Sequence, residues 1–162
     1  MESNQSVYRI VNDASVLRQR LPMLDGPTLV LGSAPAPKIP IGFNDSWNLI
    51  CVNGSGVVAK HLGLPVPTIT LLSGAVFGQT VANREGRLAL AGGQTGNLIY
   101  IDVCTNFDTA SKELERLAYR YEAAFVLNGN EREYIIRCTS GQEVDSTCLP
   151  SNGVFACMLA LF

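Results

Sequence analysis

The sequence predicts an α/β domain built on a mostly parallel sheet with flanking helices. Two short apolar runs each end abruptly in a turn of small and polar residues: Thr28-Leu29-Val30-Leu31 runs into Gly32-Ser33-Ala34-Pro35, and Asn48-Leu49-Ile50-Cys51-Val52 into Asn53-Gly54-Ser55-Gly56. Buried parallel strands enter loops in this way. Helical spacing follows the second turn and a further apolar run follows that, which is the order of a βαβ unit. The chain has 162 residues, 47% of them hydrophobic and 16% charged, enough for one domain with its own core. At that size roughly two-thirds of the unfolded surface can be buried, so the fold needs neither a metal nor a disulfide to hold it.

In chain order, residues 12–24 carry Asp13 or Ser15 as a cap and Val16, Leu17 and Leu21 at helical spacing, which predicts a short amphipathic helix before the first strand. Residues 36–47 hold two prolines and a glycine and predict a loop in place of a crossover helix. Val57, Val58, His61 and Leu62 predict a helix ending near Gly63, and Pro67 to Leu72 a third strand. Between Ser73 and Gly93 the pattern fits a broken helix interrupted around Gly86. Asn97 to Val103 predicts a fourth strand, and Thr105 to Tyr121 a helix capped by Asp108 or Thr109 with Leu114, Leu117, Ala118 and Tyr121 as its apolar stripe. Ala124 to Leu127 and Tyr134 to Arg137 read as strands joined by Asn128-Gly129-Asn130. The final segment starts with the cap-like Pro150-Ser151-Asn152-Gly153 and continues as an apolar helix to Phe162. A terminal helix without a polar face calls for a cover, so the chain reads as a single domain, residues 1–162, truncated at its C-terminus or relying on an oligomeric partner. A doubly wound sheet and a simpler layered one share this local pattern, so strand order stays open.

The totals exclude several functions. A net charge of -2 with scattered Lys and Arg offers no basic stripe for nucleic acid. No basic-then-apolar leader opens the chain and no run reaches the ~18 apolar residues of a membrane span, so the expected location is cytoplasmic. The five cysteines, Cys51, Cys104, Cys138, Cys148 and Cys157, show no CxxC spacing and read as reduced packing residues. Metalloprotease, serine-hydrolase, Walker and zinc spacings are missing, and no metal or cofactor is expected. His61, the one histidine, has the apolar neighbours Ala59 and Leu62 and no adjacent acid, which makes it structural.

Three loops are left as candidate sites. Gly32, Ser33 and Ala34 can present backbone N–H groups and a hydroxyl to an anion, or form a plain strand-to-loop turn. Asn53 offers a donor and an acceptor directly after a buried strand, and Gly54 and Gly56 let the backbone approach a ligand closely, with Ser55 between them in the same candidate site; the alternative is a helix cap. Ser151, Asn152 and Gly153 form a helix start that is either a third wall of the same crevice or an ordinary cap, with Asp145-Ser146-Thr147 just before it. Parallel sheets bind ligands beyond the carboxyl ends of their strands, which favours a shared crevice.

With these strings in place, Leu31-Gly32-Ser33-Ala34-Pro35, Cys51-Val52-Asn53 and Pro150-Ser151-Asn152-Gly153 resemble, in order and rough spacing, three motifs of the bacterial, Rossmann-like sialyltransferase-type glycosyltransferases. The resemblance implies a Rossmann-like nucleotide-binding part, a CMP-sugar donor, and a glycan or other hydroxyl acceptor. It implies Ser33 and Asn53 near the nucleotide and Ser151 to Gly153 near the phosphate or sugar. Ser33 stands where that family has asparagine, and Asn152 where it has threonine. The family's histidine base lies beyond its third motif, past the last residue here, so no catalytic residue is assigned. Cys51 to Leu72 is also similar to pterin and thiamine diphosphokinase-like proteins, although Leu72-Ser73-Gly74-Ala75 lacks the carboxylates that magnesium would need. A binding module without catalysis is the third alternative.

Overall fold

The computed structural model describes residues 16, 17, 19, 21, 22, 24–33, 36–142 and 149–162. Five strands lie side by side in the order in which the chain makes them: β1 (Thr28–Leu31), β2 (Asn48–Val52), β3 (Ile69–Ser73), β4 (Gln94–Ile101) and β5 (Arg120–Leu127). All four neighbouring pairs are parallel, so the chain has the expected Rossmann-like α/β architecture, and strand order is now fixed as sequential.

Sequential order has a geometric consequence. Right-handed crossovers that always step the same way deliver every connection to one face of the sheet. The strand side chains divide accordingly. Leu49, Cys51, Leu72, Leu98 and Tyr100 pack against the connections, namely α1 (Gly56–His61), the 3-10 turn Gly74–Phe77 and α3 (Phe107–Arg116). Ile50, Val52, Ile69, Leu71, Ile99 and Ile101 face the other way, onto α4 (Gly129–Ser140), α5 (Asn152–Leu161) and the helical residue Leu17. This period of two is what a strand buried on both faces requires. Helix α2 (Val81–Leu88) lies against the turns Gly74–Phe77 and Asn53–Ser55 and buries none of its residues.

Several elements differ from the sequence expectation. Residues 134–137 are helical, inside α4: Glu131 N donates to Asn128 Oδ1 at 3.0 Å while Asn128 N donates to Glu131 Oε2 at 2.8 Å. This reciprocal capping box starts a helix where a hairpin turn was expected. The helix expected over 105–121 stops at Arg116, because Ala118 takes a left-handed φ of 53° and the chain re-emerges as β5 at Arg120. Its cap is Asn106, whose Oδ1 accepts from Thr109 N at 2.9 Å, in place of Asp108 or Thr109. The expected break at Gly86 lies instead at Gly78 to Thr80, and Gly86 sits within α2. β3 is displaced to Ile69–Ser73 and β4 to Gln94–Ile101, whereas the loop over 36–47 is without a helix as expected. Asp13 and Ser15 lie outside the described residues.

Helix α5 buries Phe155, Ala156 and Leu159 and leaves Val154, Cys157 and Leu161 exposed along its outer side. Of the cysteines, Cys51 alone is buried among the described residues; Cys104, Cys138 and Cys157 are exposed, contrary to a packing role for all, and Cys148 lies outside the described set. Burial pushes the Cys51 thiol up to about 11, a rise that the Ser55 hydroxyl partly offsets. Burial likewise pushes the Tyr119 phenol up to about 12, although its hydrogen bond to Thr70 Oγ1 at 2.9 Å works in the opposite direction. Both groups stay neutral in the folded chain after they ionise in the unfolded one. Their contribution to stability is therefore complete below about pH 9 and is lost as pH rises through 11 and 12. The urea midpoint is expected to fall steeply across that window, and Tyr119→Phe to make the fall shallower above pH 10; a midpoint flat from pH 9 to 12 contradicts this account.

Candidate functional site

The carboxyl ends of β1 and β2 lie side by side, with Leu31 paired to Cys51, so the two loops that follow them emerge together. Gly32 opens the first, and a Cβ placed on it meets nothing within 4 Å. Ser33 follows it, and Ala34 and Pro35 lie outside the described residues. The second loop begins at Asn53, which holds a left-handed φ of 53°. Asparagine tolerates that conformation better than most residues. Asn53 does not cap the following helix. Its Oδ1 accepts from Ser73 N at 3.1 Å, the last residue of β3, and so ties the second loop to the third strand. That bond fixes the side-chain amide, and its Nδ2 has no hydrogen-bond partner among the described residues.

Gly54 and Ser55 are turned inward. A Cβ on Gly54 would come within 2.7 Å of Ala89 Cβ and 3.1 Å of Gly86 O, so this glycine is where α2 approaches the turn. Ser55 is 1% exposed. Its Oγ donates to Leu31 O at 2.6 Å and accepts from Val52 N at 2.8 Å, which bridges the ends of β1 and β2. These two residues shape the loop; of the other residues of the two loops, Ser33 is exposed, and Gly32 and Asn53 are half-buried. His61 ends α1, exposed, at the opposite end of that helix from the loop.

The third loop opens α5. Ser151 is its cap, with Oγ accepting from Val154 N at 3.4 Å. Asn152 N and Gly153 N have no partner among the described residues, and the nearest atom to a Cβ on Gly153 is Ser151 Oγ at 4.0 Å. Helix α5 packs over β1, β2 and β3, the strands that carry or anchor the first two loops. Asp145, Ser146 and Thr147 lie outside the described residues. Two groups escaped the sequence reading. Asp102 sits exposed just past the end of β4. Arg132, in the first turn of α4, is 8% exposed, and its Nη2 donates to Pro150 O at 2.6 Å, directly ahead of the α5 cap. Its guanidinium carbon lies 5.2 Å from the centre of the Phe155 ring. No motif marks Arg132, and the contact that places it spans 18 residues.

Among the described residues no group of three or more His, Cys, Asp or Glu side chains is placed to hold a metal ion, and no helix is long and apolar enough to cross a membrane. The fold and its edge loops define the class of the molecule as a Rossmann-like α/β domain with small-residue turns at the carboxyl ends of its strands. The chain shows no significant match to a protein-family model, to a characterised protein or to a solved structure.

Proposed function

We propose that this chain is the nucleotide-sugar-binding part of a glycosyltransferase-like protein that takes a CMP-sugar and passes the sugar to an acceptor hydroxyl. The observation that carries the reading is the Asn53 amide, held by its bond to Ser73 N with Nδ2 without a partner among the described residues, in the loop that neighbours the one Gly32 opens. A donor fixed in advance costs little ordering entropy on binding, which suits it to the edge of a base or ribose. Gly32 and Ser33 take the other side of the nucleotide, and Ser151 to Gly153 the phosphate or sugar. In the transfer itself the bond from the anomeric carbon to the donor phosphate oxygen breaks as the bond to the acceptor oxygen forms, CMP leaves with the bonding electrons, and the acceptor hydroxyl gives up its proton to water. The part assigned to this chain is to hold the departing phosphate.

Titration calorimetry with CMP, CDP, UDP and ATP, with and without magnesium, tests this reading. Metal-independent CMP or CDP binding is expected. Asn53→Asp keeps the acceptor for Ser73 N and the tolerance of a positive φ while replacing the donor with a charge, and is expected to weaken CMP by about tenfold or more. Magnesium-dependent ATP binding would move the assignment to a diphosphokinase-like protein, and a folded chain that binds none of them would leave a non-catalytic module.

A further inference from the structure

We infer that the guanidinium of Arg132 and the first turn of α5 together form a subsite for a phosphate or diphosphate group. The inference deepens the nucleotide reading and rests on it for the source of that phosphate. Its origin is an electrostatic imbalance. The amino end of a helix carries partial positive charge, and an acidic residue in the first turn ordinarily answers it. The first turn of α5 has no acidic residue, and a buried arginine is packed against it, between Pro150 O and the Phe155 ring. Positive charge thus lies on positive charge.

The buried Glu131 carboxylate is the neighbour of Arg132 in α4, but it forms no ion pair with the guanidinium. No carboxylate among the described residues makes an ion pair with Arg132, and Glu131 beside it directs Oε2 back to the Asn128 amide. Of the three guanidinium nitrogens only Nη2 has a partner among the described residues, and Nε is buried without one. Burying an arginine with so few hydrogen bonds is costly, and burial lowers its pKa. A bound anion would remove that cost. The free N–H groups of Asn152 and Gly153 lie in the same turn, and Gly153 leaves space for a ligand to approach them. Backbone amides at a helix start combined with a planar guanidinium fork suit the tetrahedral oxygens of a phosphoryl group.

The test compares pyrophosphate, CMP and cytidine by calorimetry on the full chain. Pyrophosphate and CMP are expected to bind, CMP more tightly than cytidine, and Arg132→Gln to weaken both anions by about tenfold or more while leaving cytidine unchanged. Because Arg132 also joins α4 to α5, a second variant leaves it in place. Asn152→Pro removes one first-turn N–H at a position where proline is tolerated, since Ser151 already has the extended φ of -58° and ψ of 158° that a residue before proline takes. Compared with Asn152→Ala, it is expected to weaken pyrophosphate and not cytidine. Absence of pyrophosphate binding, or wild-type pyrophosphate affinity in Asn152→Pro or in folded Arg132→Gln, overturns the subsite. If pyrophosphate binds in an Arg132-dependent way but CMP binds no better than pyrophosphate, the subsite stands and the nucleotide reading falls.

Discussion

Replacing Gly74 with alanine is expected to lower the unfolding free energy by about 3 kcal/mol or more, the upper end of what overpacking costs. Gly74 follows β3 and lies beneath the loop that leaves β4. A Cβ there would stand 2.2 Å from Val103 O, 2.7 Å from Thr105 O and 2.7 Å from Tyr100 Oη. Two of these are backbone atoms, and the third is held in place, because the Tyr100 phenol donates to Thr105 O at 2.6 Å. The loop has little slack of its own: Cys104 takes a left-handed φ of 65°, and Thr105 N donates to Val103 O at 2.7 Å. A methyl group can enter only if the loop over 102–105 lifts from the sheet. Gly32→Ala is the matched control. Its new Cβ meets nothing within 4 Å, so stability should change by less than about 1 kcal/mol, in either direction. Urea unfolding of the two variants decides the matter, and equal losses would show that the close approach at Gly74 is not what the sequence protects.

The contrast between these glycines bears on what the sequence could reveal. β1, β2 and the capped start of α5 are where the local pattern put them, because each is bounded by residues that act within a few positions: Gly32, Asn53 and Ser151. Where the local residues fit two readings, the pattern misleads. Asn128-Gly129 has the composition of a hairpin turn, yet Glu131 three positions beyond Asn128 closes a capping box, and Ile135 and Ile136 are buried by a helix. A short apolar pair fits either period. The end of α3 carries no glycine, because Ala118 itself adopts the left-handed turn. Gly86 reads as a helix breaker but is inside α2, and its carbonyl is a neighbour of Gly54. The candidate site divides in the same way. Asn53 and the α5 start were legible from their place after a strand or before a helix. The inward roles of Gly54 and Ser55, and the position of Arg132 beside Pro150, depend on partners 18 or more residues away.

Ser55→Ala is expected to cost about 2–4 kcal/mol, since it strips a partner from two main-chain groups at once and each is buried. The hydroxyl satisfies Leu31 O at the end of β1 and Val52 N at the end of β2. An alanine methyl has the right volume but no hydrogen-bonding capacity, and with Ser55 1% exposed, water has little access to the orphaned groups. Ser151→Ala provides the scale. It removes a cap bond of 3.4 Å at an exposed helix start, for which about 0.5–1 kcal/mol is the usual loss. A Ser55→Ala loss no greater than that of Ser151→Ala would mean that the two strand ends are held by their ladder alone. Hydrogen exchange gives an independent reading, with the Val52 amide expected to lose protection ahead of its neighbours in β2. The same variant separates shape from contact in the proposed pocket. Ser55 presents nothing outward, but it sets the spacing between the Gly32 and Asn53 loops, so any CMP affinity should fall in Ser55→Ala although the side chain never touches the ligand.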